Sequence, residues 1–275
     1  MASYSELTNS AKSLLAGRWK HAVWLQSSLI ILWSIISALL TQLSNWTLPN
    51  IAQPFSTFLI FCIATFITFG VVSFYKHILA KKPLSFSIFF QYFIDVSTYK
   101  TILSTSLLLY LLNLSIYWLL FLFEPSFSAS IGYLDPVSLD MIYHTILYGV
   151  QVIIFTALKV FIVNEIIDHE FKSIFIGFKQ LASFIKRSLL SVIGLHLYLF
   201  KWLLLILILL CLTILPSLYF LFSSIFMTQP NAIIIINYII VAIGMLFGFI
   251  LFSSLAVYYF THLILFFELK KDSKN

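Results

Sequence analysis

Charge is what this sequence has least of. Of its 275 residues only 9% are Asp, Glu, Lys or Arg, against about 25% in a soluble domain. Such a surface is not built to be wetted all round. Cysteine is nearly absent as well. Cys62 and Cys211 both sit inside apolar runs, and no C-x-x-C pair occurs, which excludes a disulfide framework or a cysteine metal centre. The familiar catalytic signatures are missing: there is no GxxxxGK[ST], HExxH, GxSxG or GxGxxG. No cofactor and no enzymatic activity are therefore expected. Basic residues, finally, are missing from every second connecting segment, and that absence sets the topology.

What the chain has in abundance is hydrocarbon. Hydrophobic residues make up 61% of it, with 29 Phe and 14 Tyr. The apolar residues fall into six long runs, at about 21–43, 55–75, 101–123, 141–163, 188–210 and 232–267. A helix rises about 1.5 Å per residue and a bilayer core is about 30 Å thick, so each run is long enough to cross. The sixth is overlong and is expected to tilt, to protrude near Tyr258–His262, or to break. An apolar segment at 217–227, beyond Pro216, reads as interfacial or re-entrant. The sequon Asn45-Trp46-Thr47 carries no weight in a bacterial protein.

Fourteen of the sixteen Lys and Arg lie before run one, between runs two and three, between four and five, or after six. The alternate loops hold none, and the loop at 124–140 carries three acids. By the positive-inside rule this predicts six spans with both termini in the cytoplasm of a bacterial inner (plasma) membrane. The net charge of +6 is spread through short loops. Nucleic acid is not the expected partner; an anionic lipid surface is.

Before spans one, three and five stands a segment with helical amphipathic spacing. In the first, Leu7, Ala11, Leu14 and Leu15 oppose Glu6, Asn9, Lys12 and Ser13. In the second, Phe86, Phe89, Phe90, Phe93 and Ile94 oppose Ser87, Gln91, Asp95 and Thr98. The third is the clearest. Lys172, Lys179, Ser183, Lys186 and Arg187 share one side, opposite Phe171, Ile174, Phe175, Phe178, Leu181, Ala182 and Ile185. Such helices are expected to lie in the headgroup region rather than on the chain's own spans. Lys20, Lys100 and Arg187 each stand just before an odd-numbered span. This makes a single membrane domain, 1–275, of three tandem units (1–80, 81–168, 169–275), each a surface helix and two spans. The fold class is all-α and polytopic.

Polar residues inside spans are the functional candidates. His144, Tyr148, Gln151, Phe155 and Lys159 share a stripe on span four, expected to face the bundle, with Lys159 near enough to its end to snorkel. His196 and Lys201 lie in span five, Lys201 roughly 21 Å beyond Arg187 by the helical rise. It either snorkels or pairs in the bundle with His144 or Gln151. Glu165, Asp168 and His169 share one helical face and are expected to balance Lys172 and nearby lysines rather than hold a metal. Gly244 and Gly248 make a GxxxG step suited to close helix packing, within the bundle or across a homo-oligomer.

The opening ELTNSAKSLLAGRWKHAVWL, with Leu15, Gly17, Trp19 and Ala22, resembles the start of a group of uncharacterised bacterial six-helix membrane proteins. The stretch ending in Phe200-Lys201-Trp202 is similar to their central region. That group looks related to the membrane domain attached to some bacterial glycerophosphodiester phosphodiesterases. The resemblance implies a six-helix membrane fold; with no phosphodiesterase domain in the chain, it implies no such activity. The expected role is accessory, organising lipid or partner membrane proteins. The alternatives are a small-solute path between spans four and five, lined by His144, Gln151, His196 and Lys201, and a lipid-modifying enzyme resting on Glu165–His169.

Overall fold

The structure is a computed structural model. It describes residues 4–46, 49–121, 136–171, 173, 175, 177–181, 183–186, 190–198, 200–202, 204–205, 208 and 231–272. Every regular element among these is helical. A bilayer offers the backbone no partner but itself, and helices satisfy that demand within one segment.

In chain order the helices are α1 (Tyr4–Leu15), α2 (Trp19–Trp46) and α3 (Pro49–Leu79). A 3₁₀ turn (Phe86–Phe90), the short α4 (Gln91–Ile94) and a second 3₁₀ turn (Val96–Thr98) lead into α5 (Tyr99–Phe121) and then α6 (Pro136–Asp168). The helices α7 (Gly177–Lys186) and α8 (Leu190–Trp202) meet at 76°, and α9 (Asn231–Asp272) ends the bundle. Five helices are long and apolar enough to cross a membrane, six if the bent α7–α8 pair is one span. The chain is an all-α polytopic membrane protein.

Helix α3 is the hub. Phe69, Phe74, Tyr75 and Ile78 on it are fully buried, and it packs against α2, α5, α6 and α9. Both α3 and α6 end in Schellman closures built without glycine. Lys81 (φ 53°) and Glu170 (φ 53°) take the left-handed position, with Lys82 N–H donating to His77 O and Phe171 N–H to Ile166 O. Helix α1 ends at Gly17, φ +74°, where the absence of a Cβ makes the turn cheap. The next residue, Arg18, donates to the carbonyl oxygens of Lys81 and, at 2.9 Å, Lys82 just past α3. A guanidinium suits a helix C-terminus electrostatically.

Three expectations change. The surface segment at 86–98 is not one α-helix but a 3₁₀–α–3₁₀ chain. In a 3₁₀ turn, residues i and i+3 eclipse, and Phe86 and Phe89 meet in this way at 5.8 Å. Its backbone lies so close to α3 that a Cβ on Gly70 would stand 2.1 Å from Phe89 O. The sixth span does not break: α9 is continuous over 42 residues. Its C-terminal part is instead covered by protein, with His262, Leu263 and Ile264 fully buried and α1 among the helices packed on it. Nor does α1 turn its apolar side to lipid. Leu7, Ala11 and Leu15 are buried against α9 and α3, and Thr8 Oγ1 meets His262 Nε2 at 3.4 Å. The segment 217–227 and the loop 122–135 lie outside the described residues.

Candidate functional site

The third surface helix, α7, docks by Gly177 and Phe184 together with only part of its hydrophobic arc, Phe178 and Leu181. A Cβ on Gly177 would stand 2.9 Å from Ile162 O, so α7 and α6 meet backbone to backbone. Phe184 is buried, stacked 4.2 Å from Phe161 and edge-on to Phe267 at 5.6 Å. With that side spent on the bundle, Phe175 (66% exposed) and Ile185 (43%) point outward. Lys179 and Lys186 are exposed alongside them. Lys172 and Arg187 lie outside the described residues. An apolar edge flanked by lysines is what a headgroup layer accommodates.

At the same end of the bundle three helices are tied by one cation. Lys76 Nζ on α3 pairs with Asp168 Oδ1 on α6 and, at 3.1 Å, with Glu268 Oε1 on α9. Asn164 Nδ2 donates to Asp168 Oδ2 (3.3 Å) and Glu268 Oε1 (3.4 Å). Glu165 is buried beside this group, 3.9 Å from His169 Nε2. The structure therefore gives Asp168 the cation Lys76, 92 residues away in the sequence. No set of three or more His, Cys, Asp or Glu could hold a metal among the described residues. Lys76, Asn164 and Glu268 carry no mutual signal in sequence, since each belongs to a different helix.

Deeper in the bundle, the stripe on α6 divides. Gln151 is buried and donates to Asn113 Oδ1 on α5 at 3.0 Å. Tyr148, expected inside, is 68% exposed. Lys159 does not snorkel. Its ammonium reaches Ala64 O on α3 at 3.4 Å and lies 5.3 Å from the Phe61 ring centre. His144 belongs to α6, and its side-chain surroundings lie outside the described residues.

Two residues of the alternative path between spans four and five, His196 and Lys201, have their contacts on α8 and α9. His196 Nδ1 lies 2.7 Å from Val192 O, and its Nε2 meets Tyr259 Oη on α9. An imidazole facing the Val192 carbonyl donates to it from Nδ1, so Nε2 accepts from the Tyr259 hydroxyl. Lys201 is exposed, its ammonium 4.0 Å from the Tyr198 ring centre and 5.6 Å from that of Trp202. It takes aromatic company on α8 itself. On α9, Gly248 is buried and Gly244 half-buried, while Met245, Leu246 and Phe247 are exposed. The glycine stripe faces inward.

Fold and site together define a polytopic membrane protein with one basic, helix-lined end and a sparse polar interior. Compared with protein-family models, with curated proteins and with solved structures, the chain finds no match.

Proposed function

We propose that this is a non-enzymatic, multi-pass protein of a bacterial inner membrane, both termini cytoplasmic. Its role is accessory: to hold anionic headgroups, and through them lipid or a partner membrane protein, along its basic end. The family resemblance of its opening and central stretches belongs to the same reading. The supporting observation is the division of labour on α7. Gly177 and Phe184 secure it to α6 and α9, and Phe175 and Ile185 stay uncovered beside Lys179 and Lys186. A helix fastened on one side with an apolar, cationic edge on the other is a fixed headgroup binder.

Each lysine near an anionic surface contributes about 1 kcal/mol. Replacing both (Lys179→Gln, Lys186→Gln) should therefore weaken retention of an anionic lipid by about thirtyfold. Native mass spectrometry of the purified protein with phosphatidylglycerol checks this, and a neutral lipid should be retained equally by both forms. Equal phosphatidylglycerol retention by the double variant would sink the reading.

A further inference from the structure

Lys159 has no counter-charge that this chain can supply within the membrane. No Asp or Glu occurs anywhere in residues 21–43, 55–75, 101–123, 141–163, 188–215 or 232–267. The nearest acid along α6, Glu165, is about 9 Å away by the helical rise. The side chain also points away from that acid. Lys76 and Asp168 are paired, which sets α3 and α6 level with each other. Ala64 lies twelve residues from Lys76, about 18 Å along α3, whereas Lys159 lies only nine residues, about 13.5 Å, from Asp168. The ammonium thus reaches about 4.5 Å further from the basic end than its own backbone does. This is the lean expected of a helical side chain toward the N-terminus of its helix.

Its surroundings stabilise a cation weakly. Ala64 O already accepts from Thr68 Oγ1 at 2.7 Å, so the 3.4 Å contact from Lys159 is a shared, long one. Phe61 offers its ring at 5.3 Å and is itself packed on Tyr110 and Phe155. Among the described residues, three hydroxyls on α3 and α5 are spent on their own helices: Thr65 on Phe61 O, Thr105 on Thr101 O, Ser106 on Ile102 O. Gln151 Nε2 is taken by Asn113.

A charge held in hydrocarbon with only a shared carbonyl and a ring for company marks a functional site by default, and its counter-charge must come from outside the chain. We propose that Lys159, between α3, α5 and α6, is the receptor for a weakly hydrated monovalent anion of the thiocyanate or nitrate class. One ammonium balances one negative charge. With the nearby hydroxyls occupied, an anion that demands many donors, such as sulfate or phosphate, would lose its hydration unrepaid.

The test uses the purified full chain in lipid nanodiscs and radiolabelled thiocyanate. The wild type should show one saturable site, displaced by nitrate and not by sulfate. The nitrile stretch of bound thiocyanate should move to the position it takes in a low-dielectric medium. Lys159→Met should lose at least 90% of the saturable binding, and Lys159→Arg should keep it. In sulfate buffer Lys159→Met should also unfold at a higher temperature than wild type, since it removes an unpaired cation. A lysine needed only for packing would show the opposite shift. No saturable thiocyanate in the wild type overturns the proposal whatever the variants do. Undiminished binding in a folded Lys159→Met protein overturns it equally.

Discussion

At the scale of single residues, two glycines on long helices make opposite predictions. A Cβ on Gly70 would meet Phe89 O at 2.1 Å and Phe89 C and Cα at 2.6 Å. All three are backbone atoms that cannot swing aside. Gly70→Ala must push the whole 86–94 segment off α3, at a cost of about 1–3 kcal/mol or more. A Cβ on Gly149 meets nothing within 4 Å. Gly149→Ala is expected to gain about 0.5–1 kcal/mol of helix stability. Thermal unfolding of the two variants side by side in one detergent checks both signs. Residue-level legibility was uneven for a physical reason. Gln151 declared itself as a buried polar group because amides are costly in hydrocarbon. Its partner Asn113 could not be named, since a lone Asn says nothing about which helix stands opposite.

At the scale of elements, the tie among α3, α6 and α9 is the clearest subject for experiment. The side chains of Lys76, Asp168 and Glu268 are 21%, 28% and 34% exposed, so solvent screens part of their attraction. Lys76→Met is expected to cost about 1–2 kcal/mol, short of the 3–5 of a fully buried pair. Adding Glu268→Gln should cost less than its effect alone, because the carboxylate has already lost its cation. A double-mutant cycle on denaturation free energies reads the coupling directly. The helices themselves were legible, because hydrocarbon forces any crossing segment to be long, apolar and helical. Which side of each helix meets another was not. To an apolar face, lipid and a neighbouring helix are nearly equivalent. Phe184 faces the bundle and Phe175 faces out, although hydrophobicity ranks them alike. For the same reason α1 and the 86–98 segment, expected on lipid, rest on the chain's own spans.

At the scale of the whole molecule, contacts place the starts of α2 and α5 and the ends of α3, α6 and α9 together at the basic end of the bundle. The proposed topology puts that end in the cytoplasm. A fusion after residue 272 of a reporter that works only in the cytoplasm should be active, and one that works only outside should be silent. Removing residues 1–16 tests the covering role of α1. It would uncover His262, which Thr8 meets, and the side of α9 on which α1 packs, and the expected result is a large drop in folded yield. An unchanged yield would show that this side of α9 is content in lipid.

The seating of α1 on α9 has a bearing on biosynthesis. Thr8 and His262 are 254 positions apart in the chain. Helix α1 therefore waits for α9 before most of its apolar side is covered. Until then Leu7, Ala11 and Leu15 are available to the membrane surface or to a chaperone. A chain stopped before α9 would keep that side open, so α1 distinguishes finished molecules from unfinished ones.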